Sequence, residues 1–259
     1  MLAAATRLGH CAPRVAQANG DEAERDGCDS GDEQRGGKLE RWHAYNLSVS
    51  SESALSKGLN AFANSFTRHW LALIVAFLFV YSLLPFGAPI LKKAGFETAA
   101  QFIYQPYKFL CHTYGFRSLF LFGDQVFYAR PAFESASGIN TTTFSGLIEA
   151  RNFQGSPQMG YKVALCERDV AIYLAMALNG IAFALVRKRA KPMPWWLFIL
   201  IGLAPIGIDG FSQLLSQPPF ALFTYRESTL PLRLLTGSLF GFSVAWLVFP
   251  IIQGTMSQD

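Results

Sequence analysis

The chain has 259 residues, 51% of them hydrophobic and only 15% charged, with 23 Phe and a formal charge of +4. A soluble domain carries about a quarter charged residues, so this composition excludes an ordinary soluble fold and points to a one-domain membrane protein with an appendage. Four cysteines are too few for a disulfide scaffold, and the basic balance is an ordinary membrane-orientation signal that calls for no nucleic acid.

Residues 1 to about 50 form a charged tail that holds Cys11 and Cys28. Its Gly-, Asp-, Glu- and Arg-rich composition buries too little surface to offset ordering entropy, which predicts disorder. It lacks the basic start and apolar core of a secretory signal. Ser51 to Arg68 reads as an amphipathic helix, with Leu55, Leu59, Phe62 and Phe66 at helical spacing. Trp70 to about Leu91 is the first strong span, with Pro85, Gly87 and Pro89 expected to kink or fray its far end.

Phe96 to Phe122 is rich in Phe and Tyr and is broken by Pro106 and Gly115, which suits one or two short interfacial helices. Residues 123–169 carry the turn signals of an outer loop or lid. Three further spans are predicted at Val170–Val186, from Trp195 to about Leu215, and Leu232–Ile252. The basic run Arg187-Lys188-Arg189-Ala190-Lys191 belongs in the cytoplasm. Counting outward from it gives four spans, both termini inside and 94–169 outside. The expected fold is therefore an all-α, polytopic membrane helical bundle, with the interfacial segment and the outer lid attached. Its parts are the tail (1–50), the amphipathic segment, first span and interfacial motif (51–122), the lid (123–169) and a three-helix membrane part (170–259). The lipid bilayer is the implied partner, with other membrane subunits as further candidates.

Polar groups recur at one face of this arrangement. Cys111, His112 and Arg117 fall in the interfacial segment, and Cys166, Arg168 and Asp169 open the second span. Asp209 and Gln213 lie one helical turn apart on the third span, and Glu227 and Arg233 flank the start of the fourth. Such groups near lipid are costly unless paired, coordinated or used. Three readings follow: an ion-pair network that locks the bundle, a disulfide or pair of buried thiols at Cys111 and Cys166, and a metal or catalytic thiol site. Cys111, His112, Cys166 and Asp169 have the donor types for zinc or iron, and a nearby His or Arg would activate a thiol. By depth, Arg233 is the expected partner of Asp209, with Arg117 or Arg168 next. No cofactor can be named from these residues. Gly237 and Gly241 form a G-x-x-x-G that predicts close helix approach.

The motifs appear in a familiar order: Cys111, His112, Arg117 and Ser118; Cys166, Arg168, Ile172 and Tyr173; Asp209, Gly210 and Gln213; Glu227, Ser228, Arg233, Thr236 and Gly237. The set resembles a family of prokaryotic predicted integral membrane proteins, domain of unknown function 2085. Departures from the family pattern are Thr113, Gly115, Asp169, Val170 and Ala171, with Asp169 standing where the family has a second Cys. The resemblance implies a location in the prokaryotic cell (inner) membrane and no particular activity. Two functions are carried forward: an accessory or structural subunit of a membrane complex, and a metal- or thiol-dependent redox protein or enzyme.

Overall fold

The computed structural model describes residues 54–186, 189–217 and 220–256. The predicted disordered tail, with Cys11 and Cys28, and Arg187 and Lys188 of the basic run lie outside the described residues, as does the side chain of Leu55. The chain divides inside its first helix into Met1–Ala61 and Phe62–Asp259; the account below concerns the second unit.

Among the described residues, four helices are long and apolar enough to cross a membrane. They are α1 (Ala54–Lys93), α5 (Glu167–Val186), α6 (Trp195–Ser216) and α7 (Leu230–Met256). Between α1 and α5 lie α2 (Glu97–Leu110), β1 (Ser118–Leu121), α3 (Arg130–Ser137), α4 (Phe144–Asn152), β2 (Gly155–Ser156) and β3 (Gly160–Cys166). The four predicted spans are therefore present; three lie within a few residues of their expected ends, while the first begins at Ala54, not Trp70, because the amphipathic segment runs on into the span as one helix.

Three expectations change. Pro85 and Pro89 do not end α1, which stays helical to Lys93 with both prolines buried. Packing from α2 supplies what the lost backbone hydrogen bonds do not: Ala88 shares a core with Ala100, Tyr104 and Tyr107. Within 96–122 only α2 is an α-helix; Ser118–Leu121 is a strand. The 123–169 stretch is not simply loop, because it contributes two short helices and two strands of an antiparallel sheet in the order β1-β3-β2. The bundle is thus mostly helical, with one small sheet at one end.

This end folds around aromatic side chains. Phe116, Phe120, Tyr128, Phe133, Ile139, Ala150 and Met159 make a closed core, with Phe120 against Tyr128 and Phe133 against Phe153 edge to face. Thr143 caps α4 through its hydroxyl, which accepts from the Gly146 amide at 3.1 Å. β3 buries Val163, Ala164 and Leu165, and the last two pack in one core with Ala100, Tyr104 and Tyr107 of α2.

β3 runs straight into α5, so the sheet is joined rigidly to the bundle. At the other end Trp70, Leu71, Leu78, Ala177, Phe183, Ala245 and Phe249 hold α1, α5 and α7 together. A Cβ added to Gly241 would lie 2.1 Å from the Ile172 carbonyl oxygen, and one at Gly237 2.8 Å from that of Arg168. The glycine pair therefore serves packing inside this bundle. The first turns of α6 include a π-helical stretch, Phe198–Leu203, where Gly202 meets Ser243 of α7. Many apolar side chains remain on the outside of the spans, among them Phe77, Leu178, Leu185 and Ile208. A bilayer is the solvent that suits them.

Candidate functional site

A cavity of about 300 Å³ opens where α2, β3, α5, α6 and α7 meet at the sheet-bearing end. Its lining includes Cys111, His112 and Arg117, then Cys166, Arg168 and Asp169, then Gln213 and Arg233. Of the candidate site residues, Asp209 and Glu227 are not in this lining but pair with its arginines.

Each part is positioned by the end of an element. Cys111 follows the last residue of α2, its amide donating to the Tyr107 carbonyl at 2.9 Å. Cys166 ends β3, and Asp169 sits in the first turn of α5, where the helix dipole favours a carboxylate. The two sulfurs and an Asp169 carboxylate oxygen lie within 4.8 Å of one another. Both cysteines are free thiols, so the two sulfurs meet without being bonded. The Cys166 thiol is pushed well up from its ordinary range, first by its hydrogen bond with Cys111 and then by burial. Of the four donors proposed from sequence, His112 stands outside the group; it is exposed, and its ring stacks on Tyr114 at 6.0 Å between centroids.

The charged groups form one continuous network. Glu227 Oε1 accepts from Arg117 Nη2 at 2.7 Å and also from Arg233. Arg233 Nη1 reaches Glu167 Oε1 at 2.7 Å, and its Nη2 reaches Gln213 Oε1 at 3.4 Å. Gln213 Nε2 in turn donates to Asp209 Oδ2 at 3.1 Å. Asp209 is held by Arg168 and by Arg226 Nη2, the latter at 3.2 Å. The expected Asp209–Arg233 pair is therefore replaced by a relay through Gln213. Depth along the helices was a poor guide here, because Arg168 reaches across from α5 and Arg226 folds back from the α6–α7 loop, where Ser216 holds its amide at 3.0 Å.

Three buried side-chain atoms of lining residues have no partner among the described residues: Thr113 Oγ1, Glu167 Oε2 and Arg168 Nε. A buried polar atom left unpaired costs about 1–3 kcal/mol.

Sequence reading missed Lys162. It is almost wholly buried in β3, and its Nζ donates to the carbonyls of Thr113 at 2.7 Å and Arg151 at 2.8 Å. Tyr104 Oη bonds the Lys162 carbonyl. The lysine so fixes the turn that carries Cys111 and His112, in which Thr113 adopts φ 43°. Burial first, and then the nearby Lys108 charge, pull the amine down to about 7. Nothing in the local sequence, a lysine flanked by Tyr161 and Val163, signals this burial.

Taken together, the fold and cavity define a polytopic helical membrane protein with a thiol-bearing polar cavity at one end of its bundle. Residues 151–247 match the profile of a family described as predicted membrane protein, the domain of unknown function 2085 whose motifs the sequence resembles. That match takes in Cys166, Asp209, Gln213 and Arg233, while Cys111 to Ser118 precede it. An uncharacterized protein of Methanocaldococcus jannaschii is 25% identical over 191 residues, which cover 71% of this chain and 92% of that protein. No solved structure matches the chain.

Proposed function

We propose that the cavity is a metal-binding centre in which Cys111, Cys166 and Asp169 hold one divalent transition ion, with zinc the best fit to the donors. The observation that carries this reading is the convergence of two sulfurs and a carboxylate oxygen within 4.8 Å. Tetrahedral zinc with Zn–S bonds of ~2.3 Å needs its sulfurs about 3.8 Å apart, which falls inside the 4.8 Å limit that encloses the three donor atoms. Three protein ligands leave a fourth position for the cavity, the arrangement of a reactive rather than a purely structural ion. Binding would displace the proton that Cys166 now retains. The test is metal analysis of the chain purified in mild detergent. About one zinc or iron per chain is expected, and none in Cys166→Ser. A metal content indistinguishable between the wild type and Cys166→Ser would overturn the assignment.

A second reading, an accessory or structural subunit of a membrane complex, is favoured by the Arg117–Glu227–Arg233–Glu167 chain of ion pairs. Such a network clamps α5 and α7 whether or not chemistry occurs. Subunits that co-purify reproducibly in a native mass measurement support it, and a solitary metal-bearing chain counts against it.

In either reading the protein resides in the prokaryotic cell membrane with the cavity on the outer side. The basic run beside Arg189 and Lys191 supports this orientation. Ser145→Cys, at an exposed position of α4, should react with an impermeant thiol reagent added to intact cells. Reaction only after permeabilisation reverses the topology.

A further inference from the structure

The mouth of the cavity has a chemistry that the thiols do not explain. Leu110 lines the cavity and is 62% exposed, and its neighbour Phe109 is 88% exposed. Their height relative to the bilayer is fixed by the fold. Cys111 follows Leu110 directly, its sulfur lies within 4.8 Å of that of Cys166, and Cys166 immediately precedes the α5 span. Phe109 and Leu110 therefore sit at the hydrocarbon boundary. The loop that leaves the same end of α6 exposes Phe220, Leu222 and Phe223. It is tied back to the network through Tyr225, whose Oη donates to Glu227 Oε2 at 2.7 Å. Aromatic and apolar side chains at this height belong in the headgroup zone of a bilayer.

Inside this apolar lip the lining carries the guanidinium groups of Arg117, Arg168 and Arg233 beside the carboxylates of Glu167 and Asp169. Arg117 and Arg168 keep 31% and 21% of their side chains exposed, and each has N–H donors beyond those its acid partner takes. Guanidinium donors are the usual partners of phosphate oxygens. An apolar rim level with the acyl chains and guanidinium donors beyond it match the two halves of a phospholipid's own chemistry.

We infer that the cavity takes the phosphate headgroup of a phospholipid, which enters sideways past Leu110 from the leaflet on the sheet-bearing side. This holds whether or not the thiols carry an ion. The acyl chains stay in the bilayer against Phe109, and the phosphate meets the partly exposed guanidinium groups of Arg117 and Arg168.

The test uses the full chain in liposomes with a photoreactive phosphatidylglycerol that carries a diazirine in its headgroup. Labelled residues are mapped by mass spectrometry. The expected result is labelling of cavity residues, above all His112 and Tyr114, reduced about tenfold in Leu110→Asp, whose added carboxylate lies at the mouth and repels the phosphate. Excess inorganic phosphate should leave the labelling in place, because the acyl chains hold the lipid locally. Label confined to outward side chains such as Phe102, with none in the cavity, overturns the proposal. So does full displacement by inorganic phosphate, which would make the ligand a free anion. If Leu110→Asp does not fold, the wild-type map alone decides. Running the same map on Cys166→Ser separates this inference from the metal reading, because only the latter fails when labelling persists without metal.

Discussion

Arg233 on α7 donates to Glu167, the first residue of α5, at 2.7 Å, with 3% and 0% of the two side chains exposed. These two residues are 66 positions apart, yet neither has comparable access to water. Arg233 also serves Glu227 and Gln213, so it is the hub on which the network depends. Replacing Arg233 with Leu leaves Glu167 buried without a cation, a loss of about 3–5 kcal/mol. Glu167→Gln keeps a hydrogen-bond acceptor for Arg233, and Glu227 still neutralises it. The thermal midpoint in detergent should fall by about 10 °C for Arg233→Leu and by clearly less for Glu167→Gln. Equal losses would mean that Arg233 is not the hub.

For Asp209 the relevant cations are Arg168 and Arg226, not Arg233. A double-mutant cycle of Asp209→Asn with Arg168→Gln should show a coupling of about 1–3 kcal/mol. The same cycle with Arg233→Gln should show less, because Gln213 stands between the two. A larger coupling to Arg233 would require a different arrangement at the cavity floor.

Lys162 gives the stability a pH dependence. Its amine titrates at about 7 in the folded chain, against an ordinary value of 10.5. Between those values the unfolded chain binds a proton that the folded chain does not, so stability rises with pH. The penalty is fully present below pH 7, where the buried amine is charged in both states. In the metal-free chain Cys166 works in the opposite direction above its ordinary value of 9.0, because only the unfolded thiol then ionises. The thermal midpoint should therefore climb from pH 7 towards about 9 and then level or fall. Lys162→Met should remove the climb, and a wild-type midpoint that declines steadily over the same range would contradict this account.

The glycine pair can be tested by size. A side chain at Gly241 would meet the Ile172 backbone, which cannot rotate out of the way. Gly241→Leu should destabilise strongly by forcing α5 and α7 apart, at a cost beyond the usual 1–3 kcal/mol of overpacking. Gly207→Leu, where an added Cβ would meet nothing within 4 Å, should be nearly neutral. Similar midpoints for the two variants would show that the close approach is not needed.

The sequence by itself determined the four spans, because a run of about twenty apolar residues has one stable solution in a bilayer and reads the same in any context. It also determined which polar residues gather, since each of Cys111, Cys166, Asp209 and Arg233 is costly near lipid wherever it lies. Close packing at Gly237 and Gly241 was legible for the same local reason. Tertiary structure decided the rest. Whether Ser118–Leu121 is a strand depends on pairing with Tyr161 to Cys166, some forty residues on, and no local pattern carries that information. Which arginine meets which acid was settled by side-chain reach across helices and by the fold of the α6–α7 loop. Depth along a helix gives height in the membrane but not direction around the axis, and for that reason Arg168, not Arg233, holds Asp209. Lys162 was the least legible of all: its burial is set by α2, α4 and β3 closing together, and an isolated lysine in a strand reads as solvent-facing until they do.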